Sequence, residues 1–407
     1  VTAAALHVDI PEGVRDDRNA SAGIPAGLVE RVQARLAGEG GSLTSASVAR
    51  AVRAETGVLV SDAEMLRLIR MLLRELVGAG PLTSLLSDPL TTDVVVNGPD
   101  DVRVDRGDGW ERVSVTFSGE EAVARLARRL AAAADRRLDD AHPYVDASLA
   151  DGTRLHAVLA PMAASGTCLS LRVLRPTRYD LAALQHQGTF PGLVLPALRA
   201  VIQARLAFLV SGGTGTGKTT LLAALLGAVP ESERIVTVED AGELRPNHPH
   251  VVRLVARPEN VEGAGSIELR ELVRQALRMR PDRLIVGEVR GSEVVDLLAA
   301  LNTGHEGGAG TVHANAVAEV PARLEALASL GGLDRCSLHA QLRGAVQVLI
   351  HLRRSVTGRV VSEIGVLVDN GSGLVQSMTA FDASGRPGPG AERLGNMLMA
   401  AEVDVPW

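Results

Sequence analysis

The sequence predicts an α/β protein: a mostly parallel sheet with helices on both faces, preceded by a smaller α+β domain. Three observations predict it. From about residue 192 onward, continuous apolar runs alternate with helical periodicities, the pattern of strands buried on both faces. Residues 85–177 instead carry short alternating runs separated by tight-turn dipeptides. Aromatic residues make up only 2% of a chain that is 46% hydrophobic, so Ala, Val and Leu fill the cores, and layered packing of helix on sheet accommodates them.

Taken in order, residues 1–40 are broken by Pro11, Gly13, Gly23, Pro25 and Gly27 and are expected to be a flexible segment. Residues 41–84 read as a helical subdomain, in which Ser61-Asp62-Ala63-Glu64 is a capping box before an apolar run from Met65 to Leu76, and Gly78 stops the helix. Within 85–177, Asp93 to Val96, Val102 to Val104 and Arg112 to Phe117 read as strands punctuated by Asn97-Gly98 and Asp108-Gly109. A second capping box, Ser118 to Glu121, starts a helix through Leu130, and strands follow at Leu155 to Leu159 and Leu169 to Leu174. Pro176 to Pro191 reads as linker, with residues 178–191 joining the domains.

The larger domain, 192–370, alternates strand Leu206 to Val210, helix Thr219 to Val229, strand Ile235 to Val238, helix Ile267 to Met279 and strand Leu284 to Val286. Ligands of such sheets sit beyond the carboxyl ends of the strands. Residues 371–407 are expected to be a tail, flexible through the glycine-rich Asp382 to Gly390.

A length of 407 residues fits two or three domains. A net charge of −6 argues against a generally basic nucleic-acid binder, so no nucleic acid is expected. The two cysteines, Cys168 and Cys336, build neither a disulfide framework nor a four-thiolate zinc site, which suits a reducing cytoplasm. No secretory signal is visible, and no apolar stretch approaches the ~20 residues of a membrane span, so membrane contact is expected through a partner only. Among 42 Lys plus Arg residues a single lysine occurs, Lys218. A compact ammonium fits inside a loop of backbone amides beside a phosphate, where an arginine fork does not.

That lysine lies in Gly212-Gly213-Thr214-Gly215-Thr216-Gly217-Lys218-Thr219, a phosphate-binding loop placed, as its mechanism requires, after an apolar strand and before a helix. Backbone N–H groups of this run and the helix start, Thr220 included, surround ATP phosphates, Lys218 reaches the β/γ-phosphates, and Thr219 offers a hydroxyl to Mg²⁺. Hydrolysis also needs a group that orients water. Two strand ends supply acids: Glu288 after Leu284-Ile285-Val286-Gly287, and Glu239-Asp240 with Glu243 one turn on, expected near Mg²⁺ and partly acting through water. Each acid taken alone reads better as a helix cap or a solvated side chain than as a catalytic group.

The stretch Leu277 to Arg290, with its strand ending in Gly-Glu, closely resembles the signature of the type II/type IV secretion ATPase superfamily. Val238-Glu239-Asp240 is similar to that family's Asp box, and Thr311-Val312-His313-Ala314-Asn315 to its His box. Asn302-Thr303-Gly304-His305 with Gly307-Gly308, Arg290-Gly291, Gly80-Pro81-Leu82, Val96-Asn97-Gly98-Pro99 and Asp151-Gly152-Thr153-Arg154 resemble the tight-adherence (Flp) pilus ATPases of the CpaF type. The resemblance implies a RecA-like P-loop domain after a PAS-like domain, closing as a homohexamer. It implies catalytic roles for Glu288, Lys218 and Glu239, a γ-phosphate sensor at His313, and nucleotide contacts from Arg154, Arg172 and Arg175. It further implies a motor held at the inner face of the cytoplasmic membrane by a polytopic platform protein, acting on pilin indirectly. Three rivals stand beside this reading: a ring ATPase of a type IV secretion or DNA-uptake system, a nucleotide-gated module with little turnover, and a small-molecule P-loop kinase.

Overall fold

The computed structural model describes residues 31–32, 35, 45–56, 78–107, 109–174, 179–257, 259, 264–304, 306–355 and 358–407. The helix expected after Ser61, part of the expected linker, Arg175 and His305 lie outside these residues. The chain divides into two compact units, Val1–Val173 and Leu174–Trp407.

The first unit runs α1 (Ser45–Thr56), a 3-10 turn (Gly80–Leu82), α2 (Thr83–Ser87), β1 (Asp93–Gly98), β2 (Asp101–Asp105), β3 (Trp110–Arg112), α3 (Glu120–Ala133), β4 (Tyr144–Ser148), β5 (Arg154–Val158) and β6 (Cys168–Arg172). Its strands form one antiparallel sheet in the order β3-β2-β1-β6-β5-β4. Alternate residues such as Val94, Val104, Leu155 and Leu171 join Val123, Leu126 and Leu130 of α3 in the core, so the opposite sheet face is the polar one. β4 escapes a reading by pattern because only Val145 of its five residues is buried. Two expectations are corrected. Strand β3 ends at Arg112, where the sequence reading began one. Ser118 does not cap α3: its N-cap is Gly119 without a side-chain bond, and the Glu120 carboxylate instead accepts the Thr167 N–H at 2.6 Å.

The second unit runs α4 (Leu181–His186), α5 (Val194–Gln203), β7 (Phe208–Gly212), α6 (Lys218–Leu226), β8 (Ile235–Glu239), β9 (Val251–Val255), α7 (Leu269–Leu277), β10 (Arg283–Val289), α8 (Glu293–Leu301), β11 (Ala309–Val312), a 3-10 turn (Val317–Glu319), α9 (Val320–Leu330), α10 (Arg335–Ala345), β12 (Val348–Ser355), β13 (Gly358–Asp369), β14 (Val375–Phe381) and α11 (Ala391–Ala400). The eight-stranded sheet has the order β14-β13-β12-β7-β11-β10-β8-β9. From β12 to β9 the neighbours are parallel, and β13 and β14 extend the sheet antiparallel.

Successive strand residues feed opposite cores, as period-2 geometry dictates. Phe208, Val210, Ile285 and Ile350 pack with α4, α5, α6 and α11, while Leu209, Leu284, Val286 and Leu349 pack with α7, α8, α9 and α10. Helix α6 is apolar all round and buried from Leu221 to Leu226, so the loop before it is anchored on a helix clamped between sheet and outer helices.

The two segments expected to be loose are built into this unit. The expected linker contains α4, capped by Asp180, with Leu181, Leu184 and Phe190 in the core. The expected tail contains β14 and α11, and Phe381 meets Trp407 edge to face at 4.9 Å. The glycines of 382–390 serve close approach: at Gly385 (φ +73°) a Cβ would collide with the Pro191 carbonyl group, and Gly385 O accepts the Leu193 N–H at 3.1 Å. The end of the expected linker and the glycine-rich segment of the expected tail therefore pack on each other.

Candidate functional site

Strand β7 ends at Gly212, the chain turns through Gly213, Thr214, Gly215, Thr216 and Gly217, and α6 begins at Lys218. The run lies beyond the carboxyl end of a central strand, with β12 on one side and β11 on the other. Lys218 is 8% exposed, and its ammonium donates to the Gly212 and Gly213 carbonyls at 3.0 and 2.9 Å and to His313 Nε2 at 3.3 Å. Nε2 accepts from the ammonium only when it is unprotonated, whereas a carboxylate oxygen beside it is met by an N–H, so Lys218 and Glu288 make opposite demands on this one nitrogen. Burial first, then the adjacent Lys218 charge, hold His313 below its ordinary range. Glu288 Oε1 stands 3.2 Å from the same Nε2. Lys218, His313 and Glu288 thus converge from three different elements.

A bulge aims Glu288. Val286 pairs with Gly310 and Val289 with Val312, so one extra residue sits in β10, which re-aims the side chains around it. The Thr311 hydroxyl donates to the Gly287 carbonyl at 2.7 Å, fixing the distorted segment to β11. Gly287 also has no room for a side chain, because a Cβ would lie 2.7 Å from Glu239 Cγ. The Gly-Glu strand end has this packing reason.

Glu239, 3% exposed, accepts the N–H groups of Glu243 and Leu244 at 3.1 and 2.8 Å through Oε1, while its buried Oε2 has no hydrogen-bond partner among the described residues. Burial pushes this carboxyl up to about 7 against the pull of those two donors. Asp240 forms an ion pair with Arg290; burial raises its carboxyl and the Arg290 guanidinium draws it back. Glu293 ties down the Arg290-Gly291 turn, its Oε1 accepting both N–H groups at 2.6 and 2.8 Å.

For a metal ion, no cage of three or more His, Cys, Asp or Glu side chains exists among the described residues. The residues fit a cation shared with bound phosphates. Thr219 stands half-buried in the first turn of α6 and Thr220 follows it, and Glu239 Oε2 is an acidic oxygen lacking a partner among the described residues. Asp240, expected among the metal-side acids, forms an ion pair with Arg290, and the Glu243 N–H donates to Glu239.

Arg154 and Arg172 belong to the first unit, where they are direct cross-strand partners, in line with Asp93 on β1. Leu155 and Leu171 beside them point into the core, so both arginines lie on the polar face.

Sequence reasoning missed two neighbours of the loop. The Ser211 hydroxyl, buried under it, is 2.9 Å from His351 Nδ1 on β12. Arg359 on β13 donates through Nε to the Gly215 carbonyl at 3.2 Å. Neither carries a motif; only the pairing of β12 with β7 brings them there.

Comparison with known proteins follows the same lines. The family model "Type II/IV secretion system protein" matches residues 75–379. The chain is 60% identical over 332 residues to "Putative conjugal transfer protein Rv3659c" of Mycobacterium tuberculosis, covering 80% of this chain and 94% of that protein. It is 30% identical over 317 residues to the type IV secretion system protein VirB11 of Brucella suis, covering 70% and 88% respectively. Among solved structures, the pilus retraction motor PilT with bound ADP superposes with TM-score 0.51 at 19% identity, covering 79% of this chain and 88% of that one. That likeness bears on the fold alone, which is RecA-like.

Proposed function

The chain belongs to the type II/IV secretion system protein family, and from that premise we propose that it is a ring-forming motor driven by ATP hydrolysis. The observation that carries this reading is the convergence of Lys218, His313 and Glu288 at the mouth of the loop. Loop amides and the Lys218 ammonium grip the β- and γ-phosphates. Incoming phosphate oxygens compete with His313 for the ammonium, so His313 is the group that registers a γ-phosphate. Glu288 orients the attacking water, a role its bulged position supports. Bound Mg²⁺, held by Thr219 and phosphate oxygens with Glu239 behind it, would neutralise developing phosphoryl charge.

The finer reading is a homohexamer in which Arg154, Arg172 and Arg175 complete the nucleotide site when subunits close. Arginine forks hold phosphoryl oxygens bidentately, and the paired placement of Arg154 and Arg172 supports that role. The work done is assembly of a Flp-type pilus through a membrane platform protein that moves pilin, the motor staying on the cytoplasmic side. No helix among the described residues is long and apolar enough to cross a membrane. A second reading, a ring ATPase for type IV secretion or conjugative transfer, is favoured by the names of the two relatives above. Co-purification from membranes separates them: a pilin-platform protein supports the first, a conjugation-channel component the second.

Phosphate release by purified protein tests the motor itself. Mg²⁺-dependent turnover is expected, abolished in Lys218→Ala. In Glu288→Gln, ATP still binds and turnover falls about 100-fold or more. Wild-type turnover in Glu288→Gln removes the water-orienting role, and no turnover by wild-type protein with membranes and partner added removes the motor.

A further inference from the structure

The β12–β13 hairpin stands beside the phosphate loop on the side away from Glu288 and His313. Strand β12 runs parallel to β7 in register, His351 opposite Ser211 and Leu352 opposite Gly212, and continues past the sheet as the loop begins. Its next residues are Arg353 and Arg354, and β13 returns with Arg359 directly opposite Arg354. Arg359 lies over the loop: its Nε donates to the Gly215 carbonyl at 3.2 Å, and its Cδ stands 3.0 Å from where a Cβ of Gly217 would be. A side chain at Gly217 would collide with the arginine as well as strain the backbone at φ +93°. Among the described residues no further hydrogen bond or ion pair holds the exposed Arg359 guanidinium.

A triphosphate is an extended chain of charges. Its γ-end is assigned above to Lys218, His313 and Glu288 on the β11 and β10 side of the loop, and the β12–β13 hairpin flanks the other side. We propose that Arg359 is a phosphate-contact residue for the α/β-phosphate end of the nucleotide, so that it grips ADP and ATP alike and leaves the γ-phosphate to the other side. The terminal Nη groups donate to the phosphoryl oxygens while Nε keeps its bond to the Gly215 carbonyl, making hairpin and loop one clamp around the diphosphate.

The inference rests on the nucleotide-site reading above, and the test separates the two. Affinities of the full chain for ADP, ATP and inorganic pyrophosphate, each with Mg²⁺, are measured for wild type, Arg359→Gln, Arg359→Lys and Lys218→Ala, with melting temperatures as the check on folding. Arg359→Gln is expected to weaken all three ligands about tenfold, Arg359→Lys to recover part of the loss, and kcat at saturating ATP to change less than KM. Unchanged ADP affinity in Arg359→Gln, when Lys218→Ala has lost ADP, overturns the role of Arg359 and leaves the site reading standing. Loss of ADP with pyrophosphate binding intact makes the contact one to the nucleoside and overturns the phosphate assignment. Retention of ADP by Lys218→Ala overturns the site reading and this inference with it.

Discussion

Glu239 is nearly solvent-free, one oxygen accepting two backbone N–H groups and the other without a hydrogen-bond partner among the described residues. Its carboxyl is raised from 4.5 to about 7 by burial, so the fold prefers it protonated. The sign follows from linkage: the stability it contributes is complete below pH 4.5 and is lost as pH rises through about 7. Between those limits wild type should lose about 3 kcal/mol relative to Glu239→Gln, which stays neutral throughout. Urea unfolding of both proteins at pH 5 and pH 8 checks this, and parallel stabilities would refute it. Gly287 packs on the same side chain, where a Cβ would stand 2.7 Å from Glu239 Cγ. Gly287→Ala is therefore expected to cost about 1–3 kcal/mol and to lower turnover by shifting Glu288, read by unfolding and phosphate release together.

At the scale of elements, the site depends on an irregularity in β10. Regular alternation along Leu284, Ile285 and Val286 assigns each next residue to the opposite face, but the extra residue before Val289 breaks the count at Glu288. Thr311 holds the distortion through the Gly287 carbonyl. Thr311→Val keeps the shape and removes the donor, so it should cost about 1–3 kcal/mol for the orphaned carbonyl. Its kcat should fall while nucleotide affinity stays near wild type, since the loop itself is untouched. A fall in affinity matching that in kcat would show that Thr311 supports the loop instead.

Across the second unit, the sheet is completed from both ends of its chain segment. Helix α4 and the segment through Phe190 enter the same core as β14 and α11, and Gly385 fits against Pro191 and Gly192 with no space for another atom. A chain ending at residue 370 removes β14 and α11, exposing Phe381's neighbours Ile364 and Val366 on β13. Such a truncation should unfold or aggregate, measured by melting and light scattering, whereas a dispensable tail predicts an unchanged melting temperature. Gly385→Val should destabilise by about 3 kcal/mol or more because backbone lies in its way on two sides. The first unit contributes a different kind of test: a ring mixed from Arg154→Ala subunits and Lys218→Ala subunits should recover part of its turnover if the arginine acts on a neighbour's nucleotide.

The sequence by itself determined the loop Gly212 to Thr219, with Lys218 inside it, and the parallel α/β arrangement around it, because these are written in local spacing and in continuous apolar runs, whereas Glu288 and His313 were singled out by their resemblance to a family's motifs. Tertiary structure alone decided the bulge that aims Glu288, the ion pair of Asp240 with Arg290, the arrival of Arg359 and His351 beside the loop, and the ordering of the linker and tail segments. These depend on which strand lies next to which and on backbone approaching backbone. Strand adjacency is fixed by packing among residues more than a hundred positions apart, as for Arg359 and Gly215, and no local periodicity records it.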